Sequence, residues 1–112
     1  ILRPQHPQTV YVIYLFNRNI RLTDERLEHI ELDHLEMSGQ IDKIAETLQN
    51  PEVVIRSRSD SEVELFYRYY SETPVGDKYM CVIIKRRGKD LFIITAYFTD
   101  TMKRGETLWR KR

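Results

Sequence analysis

The sequence has 112 residues, 41% hydrophobic and 31% charged, with only four Gly and four Pro. That is the composition of one folded domain with a core, and it excludes a disordered, collagen-like or low-complexity chain. The net charge is +1, but it is unevenly spread: residues 1–50 carry 5 basic and 8 acidic side chains, residues 51–112 carry 13 and 9.

The first eight residues, with Pro4, His6 and Pro7, read as irregular. The opening Ile1-Leu2-Arg3-Pro4 lacks a secretory pattern, so a cytoplasmic protein is expected. Residues 9–16 are rich in β-branched and aromatic side chains and read as a strand. Thr23 then makes a good N-cap, with Asp24 and Glu25 in the first turn, for a helix expected to run to about Met37. Ser38-Gly39 breaks it. Ile41, Ile44, Ala45 and Leu48 form the apolar stripe of a second helix, stopped at Asn50-Pro51.

Beyond this point the period changes to that of strands. Residues 53–58 form a short strand, Ser59-Asp60-Ser61 a turn, and residues 63–70 an alternating strand with Val63, Leu65, Tyr67 and Tyr69 on one face. Residues 72–78, with Pro74 and Gly76, read as a loop. Residues 78–87 and 90–98 are two strands joined in a hairpin at Gly88-Lys89. Residues 99–112 read as a polar tail with the single tryptophan, Trp109. The expected architecture is α+β, with an N-terminal strand and two helices packed on a four-stranded antiparallel sheet. No apolar run approaches the roughly 20 residues that cross a bilayer.

No Walker loop, zinc-protease helix or nucleophile elbow occurs. Cys81 has no partner for an internal disulfide and reads as a buried strand residue. With only three histidines besides, no Cys/His zinc cluster can be built. His29 and His34 share the first helix, about 140° apart at about 100° per residue. On that geometry His34 faces the sheet, in line with Leu27, and His29 faces solvent. Histidine suits general acid or base work because its type titrates near neutral pH; its ordinary alternative is a hydrogen-bonded rim or surface residue. Arg56, Ser57 and Arg58 could clamp a phosphate or simply alternate charge on an edge strand. Thr95 and Tyr97 share a strand face, as do Tyr67 and Tyr69, where hydroxyls could bind phosphate and rings could stack bases, or only pack. Lys85-Arg86-Arg87 and Lys103-Arg104 are basic clusters that could meet the same anion or only solvent.

The ordered segments carry more than any single residue. They are Ile20-Arg21-Leu22-Thr23, Glu25-Arg26, His29-Ile30, His34, the stretch from Ile44 to Leu48 before Asn50-Pro51-Glu52-Val53, Arg56-Ser57-Arg58, Leu65-Phe66-Tyr67-Arg68, residues 79–85, and Thr95-Ala96-Tyr97-Phe98-Thr99-Asp100. This series resembles the small phage and bacterial nuclease-like domains grouped with barnase, the EndoU nucleases, the tRNA-cutting colicins and the RelE toxins. It spans about residues 20–109. The family often carries a proline after the second histidine, where this chain has Leu35.

The resemblance implies a toxin-type endoribonuclease that needs no metal or other cofactor, in which the ribose 2′-hydroxyl attacks the adjacent phosphate. Carried over by position, His29 or His34 would serve as base or acid. Arg56 would neutralise the phosphate, Ser57 and Thr95 would donate hydrogen bonds, and Tyr97 and Tyr67 would orient the substrate or supply a second proton. Arg58, Lys85 and Lys103 would add substrate contacts. The implied partners are RNA and an inhibitor (antitoxin) protein. Two readings from other classes stand beside this one: a non-catalytic RNA- or protein-binding module on the same fold, and a subunit whose tail, with Trp109, anchors a partner.

Overall fold

A computed structural model describes residues 9–15 and 17–112. The expected irregular segment, with His6, lies outside these residues, as does Phe16. Among the described residues the strands are β1 (Val10–Leu15), β2 (Arg18–Thr23), β3 (Val53–Ser57), β4 (Val63–Thr73), β5 (Gly76–Arg87), β6 (Asp90–Thr99) and β7 (Gly105–Arg110). The helices are α1 (Asp24–Asp33) and α2 (Ile41–Gln49), with a 3-10 turn at Leu35–Met37 between them.

This corrects the expected architecture. The strands form one seven-stranded mixed sheet in the order β1-β2-β6-β5-β4-β3-β7, not a four-stranded antiparallel sheet. Every neighbouring pair is antiparallel except β2 and β6, which run parallel through Ile20–Leu91 and Arg21–Phe92. That contact fuses the N-terminal hairpin to the later meander.

Two strands lay in segments read otherwise. In β2 the buried Ile20 and Leu22 alternate with Asn19, Arg21 and Thr23, a period-2 pattern hidden beside the stronger signal of the helix cap. Asn17, at φ 60°, turns the chain into it. In β7 no residue is fully buried, so the strand has little apolar signature and is held through its backbone pairing with β3. Residues 72–78 likewise are not an open loop: β4 and β5 continue almost to the turn. There the Thr73 hydroxyl donates to the Gly76 carbonyl and accepts from the Val75 N–H.

The first helix starts as expected, with the Thr23 hydroxyl accepting from the Arg26 N–H at 3.1 Å. It ends at Asp33 rather than Met37. His34 has left the helical region (φ −133°, ψ 89°), and its N–H caps the Ile30 carbonyl at 2.9 Å. Leu35 consequently stands 76% exposed. In α2 the expected stripe does reach the core, with Ile44 and Leu48 fully buried.

Both helices cover one face of the sheet. Ile30, Met37, Ile44 and Leu48 pack there on Ile20, Leu22, Val54, Phe66, Met80, Val82, Ile84, Ile93 and Ala96. The other face carries a smaller cluster of Val53, Ile55, Leu65, Tyr67 and Cys81. No helix among the described residues lies on it. Its cover is residues 100–104, which cross from β6 at the interior of the sheet to β7 at its far edge. Met102 of this strap packs on the smaller cluster, and the Lys103 N–H donates to the Tyr67 hydroxyl at 3.0 Å. No helix among the described residues is long and apolar enough to cross a membrane.

A candidate nucleic-acid interface on the open face

Strand pairing sets out the open face in rows. Val53, Tyr67, Cys81 and Tyr97 lie side by side across β3, β4, β5 and β6; the next row is Ile55, Leu65, Ile83 and Thr95. A third row runs from Val63 on β4 through Lys85 and Phe92 to Arg21 on β2. A bulge between Ile83 and Ile84 inserts one extra residue into β6. It keeps Leu91 and Ile93 on the helix side while turning both Phe92 and Thr95 to the open side.

Against these rows lies a cleft of about 320 Å³. Val63, Leu65 and Ile83 form its apolar floor, and Ser57, Arg58, Ser59, Asp60, Lys103 and Arg104 its polar walls. The turn after β3 supplies one wall and the strap the other. Asp60 is tied to Lys85 at 2.9 Å. That hydrogen bond, helped by the Glu62 N–H, holds the Asp60 carboxyl below its usual range. Among the described residues Arg58, Lys103 and Arg104 have no acidic partner within ion-pair distance. Three unneutralised cations beside two serine hydroxyls make an anion site of the kind that phosphate oxygens fit.

His34 stands at the rim. β2 pairs with β6 at residues 91 and 92, so among the described residues no strand flanks the second half of β6 on that side, and the 3-10 turn packs there. The His34 ring lies 5.5 Å from the Tyr97 ring, centre to centre, and its Nδ1 is 3.8 Å from Glu36 Oε1. About a third of the side chain is exposed. Tyr97 is half-buried. Burial raises its phenol well above its ordinary value, with the Cys81 thiol adding to the effect, so the group keeps its proton.

The candidate residues therefore divide. His34, Tyr97, Thr95, Ser57, Arg58 and Lys103 gather on the open side and its rim. Tyr67 shares that face but is fully buried, and its hydroxyl anchors the strap at Lys103, so it positions the cleft wall without reaching solvent. Lys85 is beside the cleft, engaged by Asp60. Arg56 lies in the row of Glu64 and Ile84, on the helix side of the sheet, and faces Glu106 at 3.7 Å. His29 is exposed on α1, 3.9 Å from Glu25, away from this group. Trp109 pairs with Val54 on the helix side and lines a hollow with Asn50 and Pro51.

Arg104, expected with Lys103 as a basic pair that could meet an anion, lines the cleft, and Ser59, expected only as part of a turn, completes it. The chain matches no family model, no curated protein and no solved structure.

Proposed function

We propose that the open face binds RNA and cleaves it without a metal, by attack of a ribose 2′-hydroxyl on the adjacent phosphate. One observation carries the reading. A threonine hydroxyl and a protonated phenol lie on one face of the sheet with an imidazole at its rim, and the same face carries a cleft whose three cations have no acidic partner among the described residues. In-line transfer needs a proton acceptor, a proton donor and stabilisation of the extra charge on the phosphoryl oxygens. His34 takes the 2′-hydroxyl proton as the 2′-oxygen–phosphorus bond forms. The phosphorus–5′-oxygen bond then breaks, and the same proton is returned to the 5′-oxygen, leaving a 2′,3′-cyclic phosphate. Tyr97 and Thr95 donate hydrogen bonds to the phosphoryl oxygens, while Arg58, Lys103 and Arg104 hold the charge. In this scheme Arg56 and His29 have no part.

A non-cleaving RNA-binding module is the second reading. It is favoured by the engagement of Lys85, Tyr67 and Arg56 in contacts within the protein. Incubation with total cellular RNA in EDTA separates the two. The cleaving reading expects fragments ending in 2′,3′-cyclic phosphate, a loss of about a hundredfold or more in His34→Ala, as removal of an acid–base group gives, and little change in His29→Ala. RNA bound but left intact would transfer the conclusion to the second reading. Intact RNA with no binding would overturn both.

A further inference from the structure

A second cluster of cations lies on the same face, outside the cleft. Phe92 of β6 has the Arg21 guanidinium 5.8 Å from its ring centre and the Arg87 guanidinium at 5.6 Å. Arg21, Thr23, Arg26, Phe92 and Ile93 line a hollow of about 170 Å³. Among the described residues the one carboxylate paired in this group is Asp90, 2.6 Å from Arg21. Among the described residues Arg26 and Arg87 have no acidic partner within ion-pair distance. Two guanidinium groups held on one ring repel each other, and one carboxylate does not balance three arginines. The ring fixes their side chains in advance, so less rotamer freedom is lost when an anion arrives.

The hollow is smaller than the roughly 300–1,000 Å³ of pockets that enclose a free small molecule. It suits one phosphate or one base of a longer strand. Its place in the sheet supports the same occupant. Phe92 and Arg21 continue the row that begins at Val63 on the cleft floor. Three strand spacings separate Val63 from Arg21, about 14 Å along the sheet, a span that a few nucleotides of extended single strand cover.

We propose that Arg21, Arg26, Arg87 and Phe92 form a second contact for single-stranded RNA, holding the strand beyond the phosphate bound in the cleft. The inference rests on the RNA reading above. It makes the protein a reader of strand length, with short substrates bound only in the cleft and longer ones bound at two points.

The test is binding of the whole chain, by fluorescence anisotropy, to labelled 2′-O-methyl oligouridylates, which lack the attacking hydroxyl and stay intact. A dinucleotide and a longer strand are compared over a range of salt concentrations. Wild type is expected to bind the longer strand more tightly and with a steeper salt dependence. In Arg21→Gln/Arg87→Gln the longer strand should weaken about tenfold or more, and its log–log salt slope should shrink by about 1.4, the release expected from two phosphate contacts on a single strand. The dinucleotide should lose much less. Arg87→Gln alone should show about half the slope change, which keeps the test decisive if the double variant does not fold. Phe92→Leu should act in the same direction, because it removes the ring but leaves an apolar group. Equal loss for both lengths, or no loss for either, overturns the second contact while leaving the cleft reading intact. Failure of wild type to bind either probe overturns both.

Discussion

At the scale of single residues, the row Tyr67–Cys81–Tyr97 places a thiol between two phenols in the interior of the sheet. Burial pushes the Cys81 thiol up to about 11, against the smaller opposing pull of the two hydroxyls. Burial also raises Tyr67 and Tyr97, and takes Tyr70 up to about 12. Each of these groups keeps its proton in the native state at a pH where the unfolded chain has lost it. Stability is therefore full below about pH 9 and falls as pH rises through the native values. Urea unfolding midpoints should accordingly be flat from pH 7 to about 9 and drop steadily between about pH 9 and 11. In Cys81→Ser the onset should lie higher, near the tyrosine range. A midpoint that rises over that interval would contradict the assignment. The residue scale also shows what the sequence can and cannot convey. The buried Cys81 and the shared face of Thr95 and Tyr97 followed from strand alternation alone. The inward direction of His34 was argued from a helix continuing to Met37, yet His34 lies beyond that helix and reaches Tyr97 only because the chain turns there. Period arguments hold inside an element and lose their basis one residue past its end.

At the scale of elements, β7 decides whether the cleft exists. It docks through backbone pairing with β3, and Gly105 is the point of closest approach. A Cβ at Gly105 would lie 2.2 Å from the Arg56 carbonyl oxygen and 2.6 Å from Ile55 Cγ2. The first obstacle is main chain and cannot rotate away. Gly105→Ala should therefore cost about 1–3 kcal/mol, the range for overpacking a tight site, read as a lower urea midpoint. Because Lys103 and Arg104 immediately precede this contact, the same substitution should weaken RNA binding at conditions where the protein is still folded. An unchanged midpoint would mean that β7 moves freely, and the strap would then have no fixed position. The elements with one strongly buried face, α2 and the β5–β6 hairpin, were plain in the sequence. β2 and β7 were not: one is a short alternation beside a helix cap, the other an edge strand defined by hydrogen bonds more than by burial.

At the scale of the whole molecule, the sheet formed by the described residues is open and its outermost strands are β1 and β7. On β1 the side chains of Val10, Val12 and Tyr14 point to the open face and are exposed, Val12 at 60%. An outermost strand with an apolar exposed face is a template for pairing with another chain. Val12→Lys should reduce concentration-dependent association in sedimentation or light scattering while leaving the unfolding midpoint within about 0.5 kcal/mol of wild type, as surface changes usually do. Greater association in the variant would show that β1 is shielded by other means. The joining of β2 to β6 is also a property of the whole chain. It brings together residues from the two ends of the sequence, and local periodicity carries no information about which strand will neighbour which. For the same reason Arg58 meets Lys103 and Arg104, and Arg21 meets Arg87, only through the sheet order.

The strap at residues 100–104 also bears on timing. The β4–β5–β6 meander forms from chain segments that follow one another directly, and such local pairings assemble early. Lys103 and Arg104 reach the cleft only after the chain has crossed back over the finished strands and β7 has settled on β3. A ribosome-bound chain that has emerged only as far as Thr99 can hold the meander and both helices, yet it has one wall of the cleft and a single arginine there. The cleft is thus completed after the meander, whereas the group of Arg21, Arg26, Arg87 and Phe92 lies wholly in the part of the chain that precedes the strap.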